Sequence, residues 1–240
     1  MKLKIFYKYI FLAIGAFPAI ANCASTPNIS FEKTKVDPIT TMALLRITES
    51  QQFRISNLSG LSALGGAIGG VIAGSLQDNR TAKFVAAYNA GTTRLSSSLV
   101  TDLQSDFTAK GTQISYLAEE FAKIKDNADD YSHIQTDKDA ILSVWFGPVG
   151  YIADGVLNVP YEPWLIIHVR LLHGKTKQIL SQKTYSAGYK AKLEGSVFVQ
   201  CSKDSRFDTF EKLMGDFEES IKALSECEKA VVQQAVQDLI

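Results

Sequence analysis

Little in this chain is chemically reactive. Histidine and cysteine occur three times each in 240 residues, and Cys23, Cys201 and Cys227 lie far apart. That spacing excludes zinc modules built from close cysteine pairs. Neither sign of charge is in excess, with 25 basic and 25 acidic residues, so there is no concentrated basic face of the kind that binds nucleic acid. Six prolines, and no low-complexity tract beyond one glycine-rich segment, exclude extensive disorder.

What is present begins at the N-terminus. Lys2, Lys4 and Lys8 form a basic leader, followed by an apolar run over 9–20 that is too short to span a bilayer comfortably. Residues 1–22 therefore read as an export signal. Ala19 and Ala21 suit ordinary signal peptidase, whereas the stretch 20–23 (IANC) resembles a lipobox whose cysteine, Cys23, is acylated; Asn22 departs from the small residue usual there. Removing residues 1–21 takes three lysines and no acid, which leaves 22 basic against 25 acidic residues. An odd cysteine is a liability in an oxidising compartment, and one lipid anchor at Cys23 plus one Cys201–Cys227 disulfide would use all three. Cys23 left free or paired between chains is the alternative.

The stretch 23–38 is polar and proline-bearing and reads as a tether to a single domain over 39–240. Within the domain, 39–48, 52–58, 113–117, 140–146, 164–173 and 178–187 carry strand patterns, the last two as a hairpin. Residues 80–110 read as one long amphipathic helix, 118–124 as a short helix, 125–138 as a loop and 147–160 as a Gly/Pro-punctuated excursion. Residues 207–240 close the chain as helix, with an apolar stripe through Phe210, Leu213, Phe217, Ile221, Leu224, Val231, Ala235 and Leu239. This order predicts an α+β fold: a mixed sheet of about five strands, helices packed on one face, a Gly-rich helical segment and a C-terminal helix.

The Gly-rich segment, 59–77, has Ser62, Gly66, Gly70 and Gly74 at intervals of four, a smooth stripe on one helix face. Glycine costs a helix about 0.8–1 kcal/mol relative to alanine, so close packing or lipid must compensate. Two readings stay open, a tightly packed internal helix and a glycine zipper that self-associates or enters a membrane.

Several chemical patterns fail on inspection. In 69–76, Ser75 stands where a phosphate-binding loop needs lysine, and 60–64 falls one residue short of a serine nucleophile elbow. His168 and His173 lie an odd number apart on one strand and face opposite ways, so they cannot share a metal; His168 and Arg170 belong to the hairpin's polar face. Around His133 the acids miss the calcium-loop spacing. We therefore expect no catalytic constellation, no metal and no cofactor. Trp145, Tyr151, Tyr161 and Trp164 gather around the 147–160 excursion and offer either a partner contact or ordinary loop packing.

The signal, the strand MALLRIT, the segment GGAIGGVIAG and the late block from DAILSVWFGPVGY to WLIIHVRLLHGKTKQIL resemble proteobacterial envelope lipoproteins of uncharacterised function. Coarsely, the element order is similar to the α+β domains of the TolB N-terminus and the curli-secretion lipoprotein. The resemblance implies a periplasmic protein, anchored to the outer membrane by an N-terminal lipid, that serves as a non-enzymatic binding or assembly factor for another envelope protein. The competing expectations are a membrane-inserting or self-associating glycine-zipper protein, and an enzyme whose site escapes motif reading.

Overall fold

The structure is a computed structural model that describes residues 28–32, 38–58, 66–154, 159–189, 193, 195–202 and 206–240, with the backbone alone over 66–77. The elements are β1 (Thr41–Leu45), β2 (Phe53–Asn57), α1 (Gly66–Ala90), α2 (Leu95–Ala109), β3 (Gln113–Leu117), β4 (Lys123–Lys125), β5 (Ala128–Asp130), β6 (Ala140–Ala153), β7 (Glu162–His173), β8 (Ile179–Gly188), β9 (Ser196–Val199), α3 (Phe210–Gly215) and α4 (Phe217–Leu239). The fold is α+β. Among the described residues its main sheet has seven strands in the order β3-β1-β6-β7-β8-β9, with β2 also on β6.

β6 is the spine. Its first half pairs in parallel with β1 and its second half with β2, so these two short strands follow one another along the same edge. Opposite the gap between them, β6 bulges: the register against β7 shifts between Phe146 and Val149, one extra residue placed at Gly147-Pro148. The buried Ser50 donates to the Gly147 carbonyl at 2.8 Å and patches the break. Gly150 is fixed by space, since a Cβ there would lie 1.9 Å from the Arg54 carbonyl of the adjacent β2. The 147–160 stretch is thus strand as far as Ala153; glycine and proline mark a bulge within it, not an end.

Helices cover one face. Phe84 and Tyr88 of α1, Leu95, Leu99, Leu103 and Phe107 of α2, and the Ile221-to-Leu239 stripe of α4 bury against Leu44, Leu142, Tyr151, Ile167 and Tyr185. The expected single helix over 80–110 is two. Gly91-Thr92-Thr93 cannot hold the chain helical, and the exposed backbone groups are taken up on both sides of the break. Arg94 donates to the Tyr88 and Gly91 carbonyls at the end of α1. The Glu49 carboxylate accepts from the Ser96 amide at 2.9 Å and the Tyr88 hydroxyl at 2.6 Å at the start of α2. The closing helix also breaks, at Asp216, after a short α3 that Thr209 caps through the Lys212 amide.

Among the described residues the opposite face is only partly covered. Tyr131 and Ile134 pack on Ala43, Leu45, Ile141 and Leu172, so residues 118–139 lie over one end of it. Here 118–124 is turn and strand instead of helix, and β4 pairs with β5 as a small hairpin inside the expected loop. The described segment 28–32 is part of the domain too. Ile29 bridges Gln182 on the outer edge of β8, and Phe31 packs on the helix-side core, so the folded unit begins ahead of residue 39.

Candidate functional site

Strand alternation sends Ser143 and Trp145 of β6, Trp164, His168 and Arg170 of β7, and Gln182 and Thr184 of β8 to the face away from the helices, because their neighbours in sequence fill the helix-side core. Arg170 is the centre. Its Nε donates to Gln182 Oε1 at 2.6 Å, and one terminal nitrogen reaches Asp129 at 2.5 Å and the Tyr131 hydroxyl at 2.8 Å. The guanidinium lies over the Trp145 ring, 5.2 Å from its centroid, and Trp145 in turn stacks on His168 at 5.1 Å. Burial, then the nearby Arg170 charge, holds the His168 pKa below the ordinary imidazole value. The ring is therefore neutral near pH 7, hydrogen-bonded through Nδ1 to Thr184. This constellation fastens the β4–β5 hairpin to the sheet. Its polar groups bond to one another, so it is a lock before it is a reaction centre.

Among the described residues, two hollows flank the sheet. One, of about 480 Å³, opens beside the edge strand β3, with Ala43, Ser115 and Leu117 as its floor and 135–138 as its rim. The other, of about 270 Å³, lies at the far edge among Glu162, Pro163, Gly188, Phe198 and Cys201, where Arg206 and Glu162 pair at 2.8 Å.

The residues singled out from sequence scatter. Cys201, just after β9, and Cys227, buried on α4, form a disulfide that ties the helix to the sheet edge. Cys23 and Ser62 lie outside the described residues. Gly66, Gly70 and Gly74 fall in the first half of α1, which runs unbroken to Ala90; what surrounds them lies outside the described residues. No helix among the described residues is long and apolar enough to cross a membrane. The aromatic cluster does not hold together. Tyr151 and Tyr161 are buried in the helix-side core, Tyr151 donating to the Ser220 carbonyl at 2.6 Å, and so are withdrawn from any surface contact. Trp145 and Trp164 lie half-buried on the other face. The bulge is the reason: its extra residue reverses the alternation between Trp145 and Tyr151. Sequence reading placed β3 at 113–117 but missed the hollow beside it, and missed the Asp129–Arg170 pair. The strand showed only as an isolated short one, and the pair spans 41 residues with no local signal.

No protein-family model and no curated protein matches the sequence. Solved structures share its outline weakly. Protein XCC0632 from Xanthomonas campestris, of family DUF330, is 7% identical over 88% of this chain and 89% of that one, with a TM-score of 0.42. A neuraminyllactose-binding hemagglutinin homolog from Helicobacter pylori is 13% identical over 84% and 86%, TM-score 0.39. The hypothetical protein CT253 from Chlamydia trachomatis is 9% identical over 84% and 98%, TM-score 0.34. Likeness at this level carries no functional weight.

Proposed function

We propose that the protein is exported, held at the outer membrane through Cys23, and acts on the periplasmic side as a non-enzymatic binding or assembly factor. The leader over 1–22, with its lipobox-like end, and the resemblance to envelope lipoproteins support this reading. The Cys201–Cys227 bond fits an oxidising compartment. The observation that carries it is where the N-terminal segment joins the sheet. Ile29 exchanges two backbone hydrogen bonds with Gln182, at 2.7 and 2.9 Å, on the outer edge of β8. Four residues separate Cys23 from Asn28, five chain steps that reach at most about 17 Å, so a lipid at Cys23 would hold the β8–β9 edge close to the membrane. Five inter-strand steps from β9 to β3, at about 4.8 Å each, would then present the β3 edge roughly 24 Å away, toward the periplasm.

Labelling cells with a palmitate analogue tests this. The native chain should take up label and fractionate with the outer membrane, and Cys23→Ala should lose both. Recovery of a polypeptide that begins at Met1, cytosolic and with reduced Cys201 and Cys227, would overturn the reading.

A further inference from the structure

The outer edge of β3 has both halves of a strand-docking site: backbone groups without a strand partner among the described residues, and a hollow for side chains beside them. β3 pairs in parallel with β1, and the Gln113 amide donates to the Thr40 carbonyl at 2.8 Å. Backbone groups alternate sides along a strand, so Gln113, Ser115 and Leu117 turn theirs toward β1, while Ile114 and Tyr116 turn theirs outward. Among the described residues no strand pairs with that outer edge. On the face away from the helices, the exposed Ser115 and half-buried Leu117 border the 480 Å³ hollow, rimmed by Gln135, Thr136, Asp137 and Lys138. The hollow is a shallow, open depression with room for a side chain. A strand laid on β3 would direct alternate side chains to this face, alongside Ser115 and Leu117. The floor is apolar at Ala43 and Leu117, and Asp137 and Lys138 neutralise one another across 3.4 Å at the rim. The hollow therefore suits an uncharged, apolar side chain.

We propose that this edge binds an extended segment of a partner protein, added to the sheet as a further strand with an apolar side chain in the hollow. A second copy of this chain is a poorer occupant. β3 is five residues long, about 17 Å, and pairing two such strands buries far less than the roughly 1,200 Å² of a stable interface. A peptide strand needs no more than this length, because backbone hydrogen bonds supply affinity and the side-chain hollow supplies selectivity. This deepens the binding role proposed above and does not depend on the lipid anchor.

The test selects short random peptides displayed on phage against the purified, disulfide-bonded protein, then synthesises the selected peptide. The peptide should carry apolar residues at alternate positions and slow amide exchange at Ile114 and Tyr116. Ser115→Lys puts a charged chain into the hollow on an exposed position, and should weaken binding by about tenfold or more with thermal stability unchanged. Ser115→Ala, which leaves the hollow open, should bind like the native protein. The proposal is overturned if no peptide is selected, if binding is indifferent to Ser115→Lys, or if amide protection at β3 rises with protein concentration alone, which would assign the edge to self-pairing. Each of these leaves the fractionation result standing, so the docking site and the cellular role fail separately.

Discussion

Arg170 shows how much one side chain can organise. It is 9% exposed, yet it binds a carboxylate, an amide and a phenol and lies over an indole. Its Asp129 partner sits on the β4–β5 hairpin, so removing the guanidinium leaves Asp129 and the Tyr131 hydroxyl without their donor and frees the hairpin. Arg170→Met should cost about 2–3 kcal/mol, the scale of losing charge-assisted hydrogen bonds at a partly buried pair. Amide exchange should quicken across β4 and β5 while α2 and α4 keep their protection; uniform quickening would refute the lock. Asp139 does comparable work at the surface. One of its carboxylate oxygens accepts from the amides and hydroxyls of Thr40 and Thr41 at 2.9–3.0 Å, clasping the start of β1 to the start of β6. The two amides, foremost, pull its pKa down from 3.8 to about 2. The folded value lies below the unfolded one, so this stability is present above about pH 4 and is lost as pH falls toward 2. Asp139→Asn should flatten the urea midpoint between pH 4 and 2, and an unchanged acid slope would count against the clasp.

At the scale of elements, the packing of α4 on α2 contains an uncommon cost. Glu228 of α4 is fully buried, and neither carboxyl oxygen meets a partner at hydrogen-bonding geometry. Burial foremost raises its pKa well above 4.5, against the pull of the Ser98 hydroxyl, with smaller upward contributions from the charges of Asp102 on α2 and Glu49 at its N-terminus. The folded state therefore holds a proton that the unfolded chain gives up, and stability falls as pH rises from about 4.5 through the folded pKa. Glu228→Gln should remove that decline: native and variant midpoints in urea should lie near one another at pH 4.5 and separate by pH 8, the variant above. Parallel curves would show that the carboxyl is not the cause. The elements themselves were legible where periodicity is strong, as in β7, β8 and α4, whose apolar residues recur at steps of two or of three and four. They were not legible where backbone details decide. Gly147-Pro148 reads as a loop but makes a bulge, Gly91 reads as a bridgeable gap but ends a helix, and Asp129 finds Arg170 only through a hairpin formed by tertiary context. Hence the fold class could be read from sequence, while the polar lock and the β3 hollow could not.

For the molecule as a whole, the decisive feature is that the described chain joins the sheet at the β8 edge before it reaches β1, the second strand from the opposite side. Composition made 23–38 a tether, since a polar stretch with prolines has no period by which a single bridging residue could announce itself. Yet the Asn28 side-chain carbonyl accepts from the Thr184 amide at 3.2 Å, the Ile29 carbonyl accepts from both the Gln182 amide and the Ser181 hydroxyl, and Phe31 packs on the core. The segment blunts an edge that would otherwise carry free backbone groups on β8 beyond the four residues β9 covers. Two truncations separate a strap from a tether. Removal of 1–27 should leave the urea midpoint unchanged. Removal of 1–38 should lower stability by about 1–3 kcal/mol, the combined worth of a few hydrogen bonds and part of one phenyl ring, and should expose the Gln182 and Thr184 amides to faster exchange. The longer truncation should also sediment as a self-associating species, because a bare edge is a template for pairing. Equal stability and equal sedimentation for the two would return 28–38 to the role of linker, and with it would go the reason for holding the β8–β9 edge against the membrane.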